Sequence, residues 1–328
     1  MIGNSKILAG LLAPLNEPLA DPRVTDICVN EPHCVWIRRA GQWATINVPS
    51  FDFDLMDAAT IKIGAQMKRE FDEATPYVNC ALPGGERFQG VREPGTKEGH
   101  LLWAIRRPPA TARTIDDDDF EGLFAETNTK PPRRQRAKAD LSYLLKNRRW
   151  TDLFRTARLA GMSIAFCGPT GSGKSDLVRR CIGVSRDGSR MVTVQTEDEF
   201  GNVGPPNKAG LLYDDTKMTA DEAIRIAKRL IPNEIVMQEV RGAEAFSLLL
   251  AMNSGHNGCT TWHADPGREI DALMMMARQH PAGREMEREQ LHDMAERAFD
   301  LIAYCQQDDK TGKWAVDTVR IMGEGATS

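Results

Sequence analysis

The chain has 328 residues, which suits two domains, since single hydrophobic cores stop growing near about 250–300 residues. Its composition, 41% hydrophobic and 27% charged, excludes a globally disordered chain and a fibrous repeat. A net charge of −4 gives no overall attraction to nucleic acid or anionic lipid. The 7 cysteines form no CxxC pair, so we expect a reducing compartment and neither a disulfide framework nor a zinc site.

The first part of the chain is predicted to be a small α+β domain, residues 1–124. Residues 7–15 have the apolar spacing of an amphipathic helix, which fits them better than a signal peptide does. Residues 24–48 read as an antiparallel meander, and residues 61–71 have helical spacing. The segments ALPGGERFQGV and LLWAIRRPP then predict two further strands, the second ended by its two prolines.

A change of composition between residues 116 and 139 predicts the domain boundary. An acidic run is followed by a polar stretch with two prolines and by a basic cluster, Arg133, Arg134, Arg136 and Lys138. We expect residues 125–140 to be a flexible linker. No aromatic residue lies between these charges to stack on bases, so direct binding of nucleic acid is not expected.

The second domain, residues 141–328, is predicted to be an α/β domain. Short apolar runs alternate with segments of helical length, a pattern typical of a largely parallel sheet flanked by helices. The runs are SIAFC, MVTVQT, EIVMQ, CTTW and LIAYC.

The segment GPTGSGKS, between a predicted strand and a predicted helix, matches the phosphate-binding P-loop of ATP- and GTP-hydrolysing proteins. Its glycines let backbone N–H groups surround phosphates at a helix start, where the helix dipole favours negative charge. Lys174 is expected to neutralise the β- and γ-phosphates of ATP, and the Ser175 hydroxyl to ligate Mg²⁺. The residues predicted to contact nucleotide here are Gly168, Pro169, Thr170, Gly171, Ser172, Gly173, Lys174, Ser175 and Asp176.

Carboxylates that follow predicted strands are candidates for catalysis, because ligands of parallel sheets bind at the carboxyl ends of strands. Glu239 ends the strand EIVMQ and is the candidate for activating water. Glu197 and Asp198 follow MVTVQT and are predicted to hold the water shell of Mg²⁺. Two histidines, His256 and His263, bracket the strand CTTW; we expect His263 to be catalytic and His256 to contact nucleotide.

Four motifs in order make the chain resemble the type II and type IV secretion ATPases, most closely the traffic ATPases of type IV secretion and conjugation. They are GPTGSGKS, the acidic box TEDEF, the segment IPNEIVMQEVRGAEAF and the histidine box SGHNGCTTWHA. The N-terminal half matches through DPRVTDICVNEP, LPGGERFQGV and AIRRP.

The resemblance implies a RecA-like P-loop ATPase domain, a smaller PAS-like N-terminal domain and a homohexameric ring. It implies ATP hydrolysis that drives pilus assembly or substrate transfer, with nucleotide between the two domains of a protomer. It also implies partners among other secretion ATPases and inner-membrane subunits, and a cytoplasmic place with peripheral membrane contact. By motif match, Arg87 and Arg106 correspond to arginines that reach the nucleotide, and Arg106 is expected to act in catalysis.

Two departures from the family pattern leave alternatives open. Gln238 stands where relatives usually carry glycine, and Ile231 where they usually carry arginine. A scaffold that binds ATP and assembles with little hydrolysis therefore remains an alternative. Another is the ATPase branch of type II secretion and type IV pili, although the second domain carries no tetracysteine segment.

Overall fold

The computed structural model describes residues 6–108, 114–120, 122–125, 127, 133–308 and 310–323. The first domain contains helices α1 (Lys6–Leu11), α2 (Asn16–Ala20) and α3 (Phe53–Gln66), with a turn of 3-10 helix at Ala13–Leu15. Its strands are β1 (Val24–Glu31), β2 (Cys34–Arg39), β3 (Gln42–Asn47), β4 (Tyr77–Ala81), β5 (Arg87–Arg92) and β6 (Leu101–Arg106). No helix in the described ranges combines the length and apolar composition that a membrane span requires.

The six strands form one antiparallel sheet in the order β3-β2-β1-β6-β5-β4. Strands β1, β2 and β3 follow one another in this sheet, which confirms the meander predicted for residues 24–48. Leu8, Leu15, Ile63 and Trp103 share the core that this sheet forms with α1 and α3. Helix α3 begins earlier than the predicted 61–71 because the Asp52 carboxylate caps it, accepting from the Leu55 N–H at 2.8 Å.

The segment between the domains differs from the flexible linker predicted at 125–140. Helix α4 (Ile115–Phe120) precedes it, and helix α5 (Arg133–Lys146) occupies its second half; residues 126 and 128–132 lie outside the described residues. Ala137, Leu141 and Leu144 recur at helical spacing and are buried in the second domain. The basic cluster obscured this apolar stripe, so the prediction of flexibility was wrong from residue 133 onward.

The second domain continues with helices and strands in alternation. Its helices are α6 (Trp150–Ala160), α7 (Lys174–Ile182), α8 (Ala220–Arg229), α9 (Glu244–Asn253), α10 (Glu269–Ala277), α11 (Pro281–Glu285) and α12 (Arg288–Ala298). Its strands are β7 (Ile164–Cys167), β8 (Met191–Gln195), β9 (Lys208–Leu212), β10 (Glu234–Met237), β11 (Cys259–Trp262), β12 (Leu301–Gln307) and β13 (Trp314–Ile321).

The strands of the second domain form a largely parallel sheet, as predicted. Two parts, β10-β8-β9 and β11-β7-β12-β13, meet at bridges between Glu234 and Asn257 and between Val240 and Trp262. Strand β13 alone pairs antiparallel, with β12. Side chains alternate between two cores: Ala165 and Cys167 face one, and Ile164 and Phe166 face the other. Strands β9 and β13 were not predicted.

The two domains pack directly against each other. Cys28, Val91, Leu102 and Ala104 of the first sheet share a core with residues of β8, β9 and α8. Hydrogen bonds cross the contact from the Tyr77 hydroxyl to Glu222 at 3.0 Å, from the Thr96 hydroxyl to the Gly210 carbonyl at 2.8 Å, and from the Leu212 N–H to the Gly95 carbonyl at 3.0 Å. The antiparallel sheet is therefore covered by α1 and α3 on one face and by the second domain on the other.

A fully buried ion pair holds α6 and α7 against the sheet. The Arg158 guanidinium lies 2.6 Å from a Glu234 carboxylate oxygen, and neither side chain is exposed. Arg158 also donates to the carbonyls of Cys181 and Val184, near the end of α7. Because α7 begins at Lys174, this pair contributes to the position of the P-loop.

We predict that Glu234→Gln lowers the free energy of unfolding by about 3–5 kcal/mol, because it leaves the Arg158 charge buried without a counter-charge. Chemical denaturation measures this, with the exposed Glu289→Gln as a control expected to stay within about 0.5 kcal/mol of wild type. The double variant Arg158→Met/Glu234→Leu should be more stable than Glu234→Gln. A Glu234→Gln chain as stable as its control would contradict the structural role of the pair.

Candidate nucleotide site

The P-loop joins β7 to α7 and lies at the carboxyl end of the parallel sheet. Gly168 has φ 142°, and a Cβ built there would stand 1.9 Å from the carbonyl oxygen of Cys305 on β12. No other residue fits that position without moving β12. Residues 168–173 form the turn between β7 and α7, and Lys174 and Ser175 begin the helix, as the sequence predicted.

Lys174 is the first residue of α7, and its ammonium group folds over the loop. Its Nζ donates to the carbonyl oxygens of Gly168 at 2.9 Å and Pro169 at 2.6 Å. Burial lowers the pKa of Lys174, and the charge of Glu239 opposes that shift. His263 contacts both the Gly168 carbonyl and Glu239, so Lys174 and Glu239 belong to one site.

Glu239 is held by two side chains. Arg241 donates through Nε at 2.7 Å to one carboxylate oxygen, and His263 Nε2 lies 2.8 Å from the other. Glu239 in turn raises the pKa of Arg241 by accepting its hydrogen bond. The carboxylate is thus fixed in orientation while 16% of its side chain stays exposed.

His263 connects Glu239 to the P-loop. Its Nδ1 lies 3.1 Å from the Gly168 carbonyl oxygen, while its Nε2 contacts Glu239. Both partners are acceptors, so a ring nitrogen that carries a hydrogen donates to the partner it faces. The position of His263 after β11 brings it to the carboxyl end of the sheet with Lys174 and Glu239.

Gln238 does not enter this site. Its side-chain oxygen accepts from the Thr196 N–H at 2.9 Å and from the Thr196 hydroxyl at 3.3 Å. The amide therefore ties the residue after β10 to the start of the acidic box, which directly follows β8. It leaves the contacts of Glu239 intact, although glycine is usual at this position in the family the sequence resembles.

The residues predicted to bind Mg²⁺ lie in different surroundings. Ser175 is exposed in the first turn of α7, and Glu197 is exposed beyond β8. Asp198 pairs with Lys97 of the first domain, and although burial opposes it, this contact lowers the pKa of Asp198. Among the described residues, no three His, Cys, Asp or Glu side chains form a metal cluster, so a fit to Mg²⁺ depends on Ser175, Glu197, water and phosphate oxygens.

Arg87, Arg106 and His256 are not brought to the P-loop within this chain. Arg87 and Arg106 line a cavity of about 550 Å³ with Lys228, Arg229 and Ile231, which precede β10. Arg106 also donates to Asp26 at 2.8 Å.

His256 precedes β11, and its pKa is lowered by burial and by the nearby charge of Lys228. Arg87, Arg106 and His256 therefore lie near the amino ends of the parallel strands of the second domain, whereas Lys174 lies at their carboxyl ends.

Comparisons with known proteins agree with this architecture. Residues 134–288 match the family described as type II/IV secretion system protein. The whole structure resembles the crystal structure of the VirB11 ATPase from the Brucella suis type IV secretion system in complex with sulphate. The TM-score is 0.89 at 27% identity, covering 96% of this chain and 94% of that chain. These similarities support a place for the chain in the type II/IV secretion ATPase superfamily.

Curated relatives in this superfamily cover nearly the whole chain. The type IV secretion system protein VirB11 of Brucella suis biovar 1 is 27% identical over 313 residues, 92% of this chain and 87% of the relative. The type IV secretion system protein PtlH of Bordetella pertussis is 28% identical over 314 residues, 90% of this chain and 89% of the relative. The resemblance identified from motifs is confirmed, and the superfamily supports nucleotide binding and ATPase activity in general terms.

Two contacts of the site were missed by sequence reasoning. Arg241 stands two residues after Glu239, and its spacing could have indicated the pairing, but an arginine in a loop after a strand is usually only solvated. Lys97 lies far from Asp198 in sequence, and only the packing of the two domains brings them together.

The close approach of the loop to β12 leads to a prediction. We expect Gly168→Ala to destabilise the chain by about 3 kcal/mol or more, because the methyl group collides with the Cys305 carbonyl and the backbone is strained. Gly171→Ala is the matched control: φ there is 75°, and nothing lies within 4 Å of an added Cβ.

The control should lose about 1–2 kcal/mol from strain alone. Chemical denaturation compares the two variants. Equal losses would show that the contact with Cys305 does not constrain the loop.

Proposed function

We propose that the chain is an ATPase that hydrolyses ATP to ADP and phosphate and powers pilus assembly or substrate transfer in a type IV secretion or conjugation system. The observation that carries this proposal is the convergence of Lys174, Glu239 and His263 at the start of α7. The VirB11 relatives, which cover most of the chain, support the type IV system.

In the proposed reaction, the N–H groups at the start of α7 and the Lys174 ammonium bind the β- and γ-phosphates. Glu239 orients the attacking water and accepts its proton, and Arg241 and His263 hold the carboxylate in place. Mg²⁺ bound with ATP would neutralise phosphate charge, with Ser175 as its direct protein ligand and Glu197 acting through water. Asp198 stays paired with Lys97 and takes no part.

We propose that Arg87 and Arg106 serve the site of a neighbouring protomer in a hexameric ring. They stand at the sheet end opposite their own Lys174, in a cavity that also contains Lys228 and Arg229. A basic surface of this kind suits phosphate oxygens and the charge that spreads in the transition state. Nucleotide would then lie between the second domain of one protomer and the first domain of the next.

The assembly is proposed to act at the cytoplasmic side of the inner membrane, with peripheral contacts only. Other secretion ATPases and inner-membrane subunits are its expected partners. A scaffold with little hydrolysis is the alternative; the Gln238 side chain, bonded to Thr196 and away from Glu239, favours turnover. Membership of the type II branch is less favoured, because the curated relatives named above are type IV proteins.

A phosphate-release assay tests hydrolysis. We predict that Lys174→Ala and Glu239→Gln each slow turnover by about 100-fold or more, because one loses phosphate binding and the other loses water activation. Glu239→Gln should still bind nucleotide, and Glu289→Gln should match wild type. Wild-type turnover no faster than that of Lys174→Ala would overturn the ATPase and favour the scaffold.

Mixing two inactive variants tests the neighbour-supplied arginines. We predict that Lys174→Ala protomers mixed equally with Arg87→Ala/Arg106→Ala protomers recover activity, because about a quarter of ring interfaces then join an intact loop to intact arginines.

The exposed Arg297→Ala serves as the control for the arginine variant. Light scattering with nucleotide checks that the mixture forms rings. No recovery in mixed rings would place the arginines at their own protomer's site or outside the reaction.

A further inference from the structure

An indole ring lies against the P-loop. Trp314 begins β13, and a Cβ built on Gly173 would stand 2.6 Å from Cδ2 and 2.8 Å from Cε3 of that ring. Gly173 directly precedes Lys174, so the indole borders the residues proposed to bind phosphate. Trp314 is nevertheless 37% exposed, so the residue is only partly buried beside the P-loop.

The surroundings of Trp314 continue along the outer side of α7. The Arg180 guanidinium carbon lies 5.2 Å from the ring centroid, and Arg180 pairs with Asp176 at 2.5 Å. Both partners of that pair are largely exposed, with side-chain exposures of 62% and 47%. Arg180 is therefore free to move when another planar group reaches the indole, and it can stack on that group's outer face.

We propose that Trp314 is the stacking surface for the base of the nucleotide. The inference rests on the proposed nucleotide binding at residues 168–175 and adds a residue that selects the ligand. A nucleotide carries its base beyond the α-phosphate, and the partly exposed indole beside Gly173 is a planar apolar group next to the loop. Stacking of this kind favours purines, whose larger rings cover more of an indole than pyrimidines do.

A purely structural role for Trp314 makes a different prediction. If the indole only supported Gly173, its loss would disturb the loop and weaken every ligand that the loop binds. A base platform affects only ligands that carry a base. Inorganic tripolyphosphate, which has phosphates and no base, therefore separates the two roles.

The experiment measures binding of ADP, UDP and tripolyphosphate to the full-length chain by calorimetry. We expect Trp314→Ala to weaken ADP by about tenfold or more and to change tripolyphosphate by less than about twofold. Trp314→Phe should restore most of the ADP affinity, and the preference for ADP over UDP should shrink in Trp314→Ala. Trp150→Ala, which removes another exposed tryptophan, is the matched control.

Two results would overturn the inference while leaving the proposed function intact. Either Trp314→Ala binds ADP as tightly as wild type, or it loses ADP and tripolyphosphate equally. In both cases Lys174→Ala should still abolish binding. A wild-type chain that binds no ADP would overturn the proposed function and this inference together.

Discussion

The relative position of the two domains depends on one buried cation. Arg190, at the start of β8, is fully buried, and its direct hydrogen-bond partners are neutral: Asn30 of the first domain, and Asn207 and the Leu230 carbonyl of the second. Burial lowers the pKa of Arg190. A buried charge is costly unless its partners remain in place, so the acceptors from both domains must meet at one point. Arg87 and Arg106 belong to the first domain, so the hydrogen bond between Asn30 and Arg190 helps to set where their basic cavity lies relative to the second domain.

The fold and the centre of the site could be predicted because their determinants are local in sequence. A strand, a glycine loop and a helix specify the P-loop, and Glu239 and His263 both directly follow strands of the same parallel sheet. Helix α5 was misjudged because its charges are contiguous in sequence, whereas its apolar residues recur only every three or four positions. Strand β9 alternates between buried and half-buried residues and β13 is exposed at most positions, so neither contains a strong apolar run.

What could not be predicted is which end of the sheet a residue occupies once its strand is short. His256 and His263 are close in sequence, yet β11 between them has 4 residues, and a strand of that length separates its ends by about 13 Å. The pattern GERF likewise carries no information on how far its arginine lies from Lys174. Such relations depend on packing between domains, and a single sequence specifies them only through the fold.

The contact between Gly168 and Cys305 has a consequence for biosynthesis. Strand β12 lies between β7 and β13, so the wall behind the phosphate loop consists of residues made well over a hundred positions after the loop itself. Domains form during translation from the N-terminus onward, and all six strands of the antiparallel sheet lie at or before Arg106. A ribosome-bound chain can therefore contain all six strands of the first sheet while its P-loop is still without support. The wall behind the P-loop is complete only after Cys305 and the rest of β12 have left the exit tunnel.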